Sequence, residues 1–174
     1  YYTEDSNIFA AAVCTLVALC QLRCIFTGGE LPVWLKKLKF MATSCLLLTF
    51  MTVVLVLAPM VGEGGLYLLL WTSSARYHHL LNPLAALLSY LLLEREPHLP
   101  RSDVRWALLP TLAYAAVILP LNILRVIVGP YPFFEVYHQP VYVSVLWAVG
   151  LLGVNYLYAW LLWRLGGGRP RSAR

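Results

Sequence analysis

Charged residues are scarce in this 174-residue chain. Asp, Glu, Lys and Arg together make up 12% of it, whereas the hydrophobic set AVILMFWYC makes up 60%. A soluble domain carries about 25% charged residues. The shortage argues against a soluble single domain, a disordered tail and a nucleic-acid-binding module. It predicts a polytopic α-helical membrane protein.

Several motifs of enzymes and metal sites are also missing. No Gly-x-Ser-x-Gly nucleophile elbow, phosphate-binding glycine loop or His-Glu-x-x-His pair occurs. His78, Glu135 and His138 can converge on a metal, but their spacing matches no ligand motif. The four cysteines fall in or beside the first two apolar runs, where they are typical of packing residues. We therefore predict no metal and no cofactor.

Five uncharged runs are each close to the roughly 20 residues that a helix needs to cross a bilayer. They are Ser6–Leu22, Phe40–Gly62, Tyr77–Leu93, Trp106–Leu124 and Val136–Trp163. The runs lack the period-2 polarity of barrel strands, so they predict helices. The predicted fold is an all-α transmembrane bundle of five spans over residues 1–165, followed by a basic disordered tail over residues 166–174. The chain begins without Met, and we expect a sixth span before it in the full-length protein.

Basic residues concentrate in three segments, which follow the first, third and fifth predicted spans. Because the chain returns to the same side after every second span, the three segments lie on one face of the membrane. They are Arg23, Lys36, Lys37 and Lys39, then Arg95, Arg101 and Arg105, then Arg164, Arg169, Arg171 and Arg174. Basic loops stay in the cytoplasm. The pattern predicts a multi-pass protein of the cell membrane, with Tyr1 outside and the C-terminus inside.

Most of the strongly polar residues of the spans and loops lie toward the predicted outer end. Those that we nominate for binding are Asn7, Arg76, His79, Asn82, Asn122, Arg125, Tyr131 and Glu135. Polar side chains in a bilayer usually face the bundle interior, so these predict a cavity there. Two simpler roles stay open, because Asn, Ser and Thr often only join helices and Arg near a helix end can reach the headgroups.

Thr3 and His78 form the one hydroxyl–imidazole combination that this topology favours. Each lies at the outer start of a span, and an imidazole can activate a hydroxyl by taking its proton. His78 shares a helical face with Asn82, so we expect His78 rather than His79 to point inward. The loop 129–140 is rich in Pro and aromatic residues. We expect it to cover the bundle mouth, with Glu135 near Arg125 or Arg76.

Three short motifs resemble those of bacterial integral membrane proteins related to the androgen-induced membrane protein family. They are Tyr-Thr-Glu-Asp-Ser-Asn at 2–7, His-His-Leu-Leu-Asn-Pro at 78–83 and Gly-Pro-Tyr-Pro-Phe-Phe-Glu at 129–135. The resemblance covers most of the chain and implies a six-helix membrane protein. In animal members a threonine and a histidine hydrolyse fatty-acid esters of hydroxy fatty acids. Those two positions match Thr3 and His78, with His79 as the alternative.

These patterns lead to two functional hypotheses. The first is an intramembrane lipid-ester hydrolase in which Thr3 is the nucleophile and His78 the general base. Arg125, Asn82 or Asn7 would then donate a hydrogen bond to the oxyanion. The alternative is a non-enzymatic membrane protein that binds or passes a small amphiphile, or that serves as an assembly partner. Both imply a membrane lipid or other amphiphile as partner, and neither implies nucleic acid.

Overall fold

The computed structural model describes residues 1–94 and 99–168, and within them the chain is helical with no strand. The α-helices are α1 Tyr2–Thr27, α2 Val33–Thr52, α3 Ala58–Val61, α4 Gly65–Trp71, α5 Asn82–Leu92, α6 Leu109–Ile123 and α7 Val141–Leu165. The remaining helical segments are π-helical at Val53–Leu57 and Arg76–Leu81, and 3-10 at Arg101–Leu108 and Pro132–Phe134. The predicted tail residues 169–174 and the loop residues 95–98 lie outside the described residues.

Four helical segments are long and apolar enough to cross a membrane. They are Tyr2–Thr27, Val33–Val61, Arg101–Ile123 and Val141–Leu165. The all-α prediction is confirmed, and four of the five predicted spans correspond to these segments. The fifth corresponds to the π-turn Arg76–Leu81 and the eleven residues of α5. Together they reach the lower limit of about 17 residues for a span.

α2 is the central helix of the bundle. It contacts α1, α5 and α7, as well as the 3-10 segment Arg101–Leu108. In its most apolar window 44% of the residues are buried, against 11–17% in the other three long segments. The outer helices therefore present most of their apolar side chains outward, as expected for a bundle whose surroundings are lipid.

Glycine and proline set the helix ends that the sequence predicts. Gly28 ends α1 in the left-handed conformation, with φ of 72°, and its amide bonds to the carbonyl of Cys24. A Cβ on Gly65 would lie 2.2 Å from the carbonyl oxygen of Ala58, so only glycine allows α3 and α4 to approach this closely. Pro110 lies in the first turn of α6, directly after the 3-10 segment. A proline is tolerated there because amides of the first turn have no hydrogen-bond partner within the helix.

Described residues of the three basic segments lie at one end of the bundle, which we call the basic end, where Lys37 contacts Asp103 and the indole of Trp163 bonds to Leu99. Lys37, at the start of α2, pairs with the buried carboxylate of Asp103 at 3.0 Å. Lys39 pairs with Glu94 at 3.3 Å, and both side chains are largely buried. A core cluster that includes Phe40, Tyr90, Val104 and Trp163 packs beside them. The start of α1 and the loop 129–140 lie at the opposite end, which we call the loop end.

The first residues of the predicted tail continue the end of α7. Gly166 donates its backbone amide to Leu162 at 2.8 Å, and Gly168 donates to Trp163 at 2.9 Å. A Cβ on Gly168 would lie 2.3 Å from the ring of Trp163. These glycines therefore let the chain fold back onto the indole.

Candidate functional site

The first two turns of α1 carry a polar face toward the bundle. Thr3, Ser6 and Asn7 share it because their spacing is i, i+3 and i+4, and all three are buried. The carbonyl oxygen of Thr3 accepts from Ser6 Oγ at 3.0 Å and from Asn7 Nδ2 at 2.8 Å. Ser6 Oγ also lies 3.0 Å from Thr49 Oγ1 of α2. Thr49 thus joins α2 to α1 through a side-chain hydrogen bond.

Asn7 brings the backbones of the two nominated catalytic residues together. Its Nδ2 donates to the carbonyl oxygen of Thr3 and also to that of His78, at 3.2 Å. Its Oδ1 accepts from Asn82 Nδ2 at 2.8 Å. The starts of the first and third predicted spans are therefore neighbours at the loop end.

The side chains of Thr3 and His78 have different surroundings. Thr3 Oγ1 lies 3.4 Å from the hydroxyl of Tyr131, and no hydrogen bond joins it to His78 within the described structure. His78 Nδ1 is buried and has no hydrogen-bond partner among the described residues. His79 Nδ1 lies 2.8 Å from the carbonyl oxygen of Leu69 in α4. The imidazole of His79 is thus bonded to α4, whereas Nδ1 of His78 stays free of hydrogen bonds to the described part of the chain.

The histidines lie in the π-turn Arg76–Leu81 rather than in regular α-helix. A π-turn widens the helix locally and changes the direction of the side chains that follow, and such turns are frequent at functional sites. The predicted common face of His78 and Asn82 assumed regular α-helical spacing. In the structure Asn82 reaches Asn7 with its amide, whereas His78 contacts Asn7 through its backbone carbonyl.

The loop 129–140 covers the start of α1, as predicted. Phe133 is buried, and the rings of Tyr131 and Phe133 stack with centroids 5.0 Å apart. The amide of Thr3 donates to the Tyr131 hydroxyl at 3.4 Å. Burial raises the pKa of Tyr131, and this effect outweighs the hydrogen bonds from Thr3, which lower it. The phenol therefore stays protonated at neutral pH, so it can donate a hydrogen bond but cannot act as a base.

The other nominated residues lie away from Thr3. Arg125 stands over the ring of Tyr137, 4.4 Å from its centroid, with a backbone φ of 57°. Glu135 contacts His138 Nδ1 at 2.8 Å, and it lines the same groove as Arg125, one of the two arginines near which it was expected. Sequence spacing cannot foresee this pair, because the loop turns back on itself between the two residues.

Asn122 anchors that loop to the end of α6. Its Nδ2 donates to the carbonyl oxygen of Ile127 at 3.1 Å, and its Oδ1 accepts from the amide of Val136 at 3.3 Å. With Arg125 and Glu135 it lines a surface groove of about 410 Å³. Arg76 stands over the ring of Tyr77, 5.3 Å from its centroid. The nominated residues therefore do not share a single cavity.

A small cavity lies beneath the loop, and its polar lining consists of hydroxyl groups. It has a volume of about 60 Å³. The hydroxyl-bearing residues that line it are Tyr2, Thr3, Thr49, Thr52, Thr111, Tyr114 and Tyr131. Phe133 and Phe134 of the loop close it on the loop side. We call this the hydroxyl cavity.

A larger apolar groove runs between α6 and α7, with a volume of about 470 Å³. Leu119, Val145 and Trp147 are among its lining residues. The groove and the hydroxyl cavity share Thr111, Phe133, Phe134 and Leu151 as lining residues. The two spaces are therefore adjacent.

A second polar network supports the hydroxyl cavity from below. The Tyr2 hydroxyl lies 2.9 Å from Thr111 Oγ1, which accepts from Asn155 Nδ2 at 2.7 Å. Asn155 Oδ1 accepts from Ser44 Oγ at 3.3 Å. The network joins α1, α6, α7 and α2, and Asn155 is its interhelical centre. Sequence analysis did not single out Tyr2 or Thr111 as lining a site.

No group of three or more His, Cys, Asp or Glu side chains is arranged for a metal ion within residues 1–94 and 99–168. His138 and Glu135 pair with each other, and His78 lies apart from that pair among the described contacts. Comparison with family models, curated proteins and solved structures finds no match for this chain.

Proposed function

We propose that this integral membrane protein binds a membrane amphiphile at the loop end. The acyl chain would lie in the apolar groove between α6 and α7, and the polar group would enter the hydroxyl cavity. The observation that carries the proposal is the shared lining of Thr111, Phe133, Phe134 and Leu151. Ligand sites are usually apolar concavities with a few convergent polar groups, and the combined space has that character.

Saturable binding of a brominated acyl chain tests the proposal. Bromine quenches tryptophan fluorescence on contact, and Trp147 lines the groove. The other five of the six tryptophans are replaced by phenylalanine, so that the signal comes from Trp147. The Ala148→Phe variant fills the groove, whereas Val149→Phe adds the same ring to an exposed side chain of the next residue. We expect quenching of amphipol-held protein by a brominated fatty-acid methyl ester to saturate and to fall in Ala148→Phe but not in Val149→Phe. Equal quenching in both variants would refute binding in the groove.

We infer a five-span arrangement for the described chain, with the basic end in the cytoplasm. Clustering of the basic segments at one end supports the orientation, because basic loops are retained inside. The short segment 76–92 would then cross with its π-turn at the outer surface. The protein would be a multi-pass protein of the cell membrane.

We propose hydrolysis of a bound ester as a second candidate function of the same site. Thr3 Oγ would attack the carbonyl carbon of the bound ester while its proton passes to the imidazole of His78. The alkoxide would leave with a proton from that imidazolium, and water would then hydrolyse the acyl-threonine. Tyr131, which keeps its proton, would donate to the oxyanion. Two observations favour hydrolysis. His78 Nδ1 is buried and has no hydrogen-bond partner among the described residues. The side chain of Asn7 bonds to the backbone carbonyls of both Thr3 and His78, so the two residues are neighbours.

Turnover of a long-chain p-nitrophenyl ester tests hydrolysis separately from binding. We expect Thr3→Ala and His78→Ala to lose activity by at least about 100-fold, within the range for loss of general-base catalysis. His79→Ala is the matched control, because its ring is tied to Leu69. Labelling by a fluorophosphonate probe should disappear in Thr3→Ala. Unchanged turnover in Thr3→Ala would exclude hydrolysis by Thr3 and leave the binding proposal standing.

A further inference from the structure

The two adjoining spaces have no charged lining among the described residues. No Asp, Glu, Lys, Arg or His side chain lines the hydroxyl cavity or the apolar groove. The polar side chains among the lining residues of the cavity are threonines and tyrosines, whose hydroxyls both donate and accept hydrogen bonds. Such a lining matches an uncharged oxygen-containing group and offers no counter-ion to a charged one.

The start of α1 is the nearest source of positive potential, because a helix N-terminus carries about half a unit of positive charge. Two features cancel it. Glu4 and Asp5 stand in the first turn of α1, and the amide of Thr3 already donates to the Tyr131 hydroxyl. Burial is the main reason that the pKa of Tyr131 is raised, and the negative charge of Glu4 raises it further. The potential at the cavity therefore does not favour an anion.

The size of the hydroxyl cavity points the same way. A water molecule needs about 10–15 Å³ on this measure, so a cavity of about 60 Å³ has room for a small group of atoms. An ester or a hydroxyl group fits this space. The headgroup of a phospholipid is much larger, and its phosphate would lie beside Phe133 and Phe134, which cannot pair with an anion.

We propose that the hydroxyl cavity selects amphiphiles whose polar group is uncharged, namely an ester or an alcohol, and rejects anionic headgroups. This inference rests on the proposed function and names the class of its ligand. An anionic group in the cavity would lose its hydration without gaining an opposite charge, which is strongly unfavourable in a membrane interior. The ligand is therefore a neutral lipid or the neutral ester segment of a larger one.

Competition between three ligands of one chain length tests the class. The brominated methyl ester is the reporter, and hexadecanol and hexadecyl sulfate compete with it for the site, as measured by Trp147 fluorescence. We expect the alcohol to compete at concentrations similar to those of the ester, and the sulfate to be weaker by on the order of 100-fold. Quenching in the Ala148→Phe variant, whose groove is filled, measures the background from ligand that enters the amphipol without binding in the groove.

A charge placed in the cavity provides the converse test. Thr52 lines it, so Thr52→Lys should gain at least about tenfold in affinity for hexadecyl sulfate, while the uncharged Thr52→Gln should not. Equal competition by sulfate and ester in the wild type would overturn the neutral class while leaving amphiphile binding intact. Absence of saturable quenching by every ligand would overturn the proposed function and this inference with it.

Discussion

The buried amide of Asn155 offers the sharpest test of how the bundle is held together. Its side chain is fully buried, and it bonds to Ser44 of α2 and to Thr111 of α6. Replacing it by leucine keeps a similar volume and removes both hydrogen bonds. The change isolates the polar contribution, because no large cavity is created.

The expected loss follows from the two bonds. Interhelical hydrogen bonds in membrane proteins contribute about 0.6 kcal/mol on average and up to about 1.7 kcal/mol. Two such bonds predict that Asn155→Leu lowers the free energy of unfolding by about 1–3 kcal/mol. The 2.7 Å bond to Thr111 should account for the larger share, since it is shorter than the 3.3 Å bond from Ser44.

Unfolding in mixed micelles of increasing SDS fraction, followed by circular dichroism, measures this free energy. Tyr156→Leu is the control, because it removes a polar group from the next residue, whose side chain is exposed. We expect the control to change stability by less than about 0.5 kcal/mol. A double-mutant cycle with Thr111→Val should give a coupling energy of about 0.6–1.7 kcal/mol. Equal effects of Asn155→Leu and Tyr156→Leu, or zero coupling, would refute the network.

Three further expectations concern the two ends of the bundle. Lys39→Met should lower the free energy of unfolding by about 1–3 kcal/mol, because the largely buried Glu94 loses its lysine and keeps the hydrogen bond from Ser89, and adding Glu94→Gln should restore more than half of that loss in the same micelle titration. In a cysteine-free background, Glu135→Cys should react in intact cells with an impermeant thiol reagent and Arg101→Cys should not, and the opposite pattern would reverse the inferred orientation. Asn122→Ala should speed hydrogen exchange of the loop amides by about tenfold, equivalent to about 1.4 kcal/mol, and an unchanged rate would show that its two bonds do not hold the loop.

The helices and their common ends could be predicted because local chemistry sets them. Gly28, Gly62 and Pro140 stand at helix ends in the structure, and glycine and proline act there through backbone conformation alone. The gathering of basic segments needs only the order of the spans. The closeness of Thr3 and His78 follows from the same order, since both begin helices at the loop end.

The partners of individual side chains could not be predicted in the same way. Thr111 and Tyr2 stand in or beside apolar runs, and their role in lining a cavity depends on how α6 packs against α1. The pairing of Glu135 with His138 depends on a turn of three residues, in which several conformations have similar energies. The π-turn at 76–81 breaks the regular spacing on which helical faces are drawn.

The hydrogen bonds at the loop end leave the hydroxyl of Thr3 weakly engaged. Ser6 with Thr49, and Tyr2 with Thr111, have oxygens 2.9–3.0 Å apart, within the usual range for hydroxyl pairs. The Thr3–Tyr131 pair is longer, at 3.4 Å, so it gains little of that energy. A ligand oxygen between these two hydroxyls would exchange one long contact for two short ones. The polar residues around Thr3 are therefore held by bonds among themselves, while Thr3, the residue nominated as nucleophile, keeps a hydroxyl that a ligand can engage.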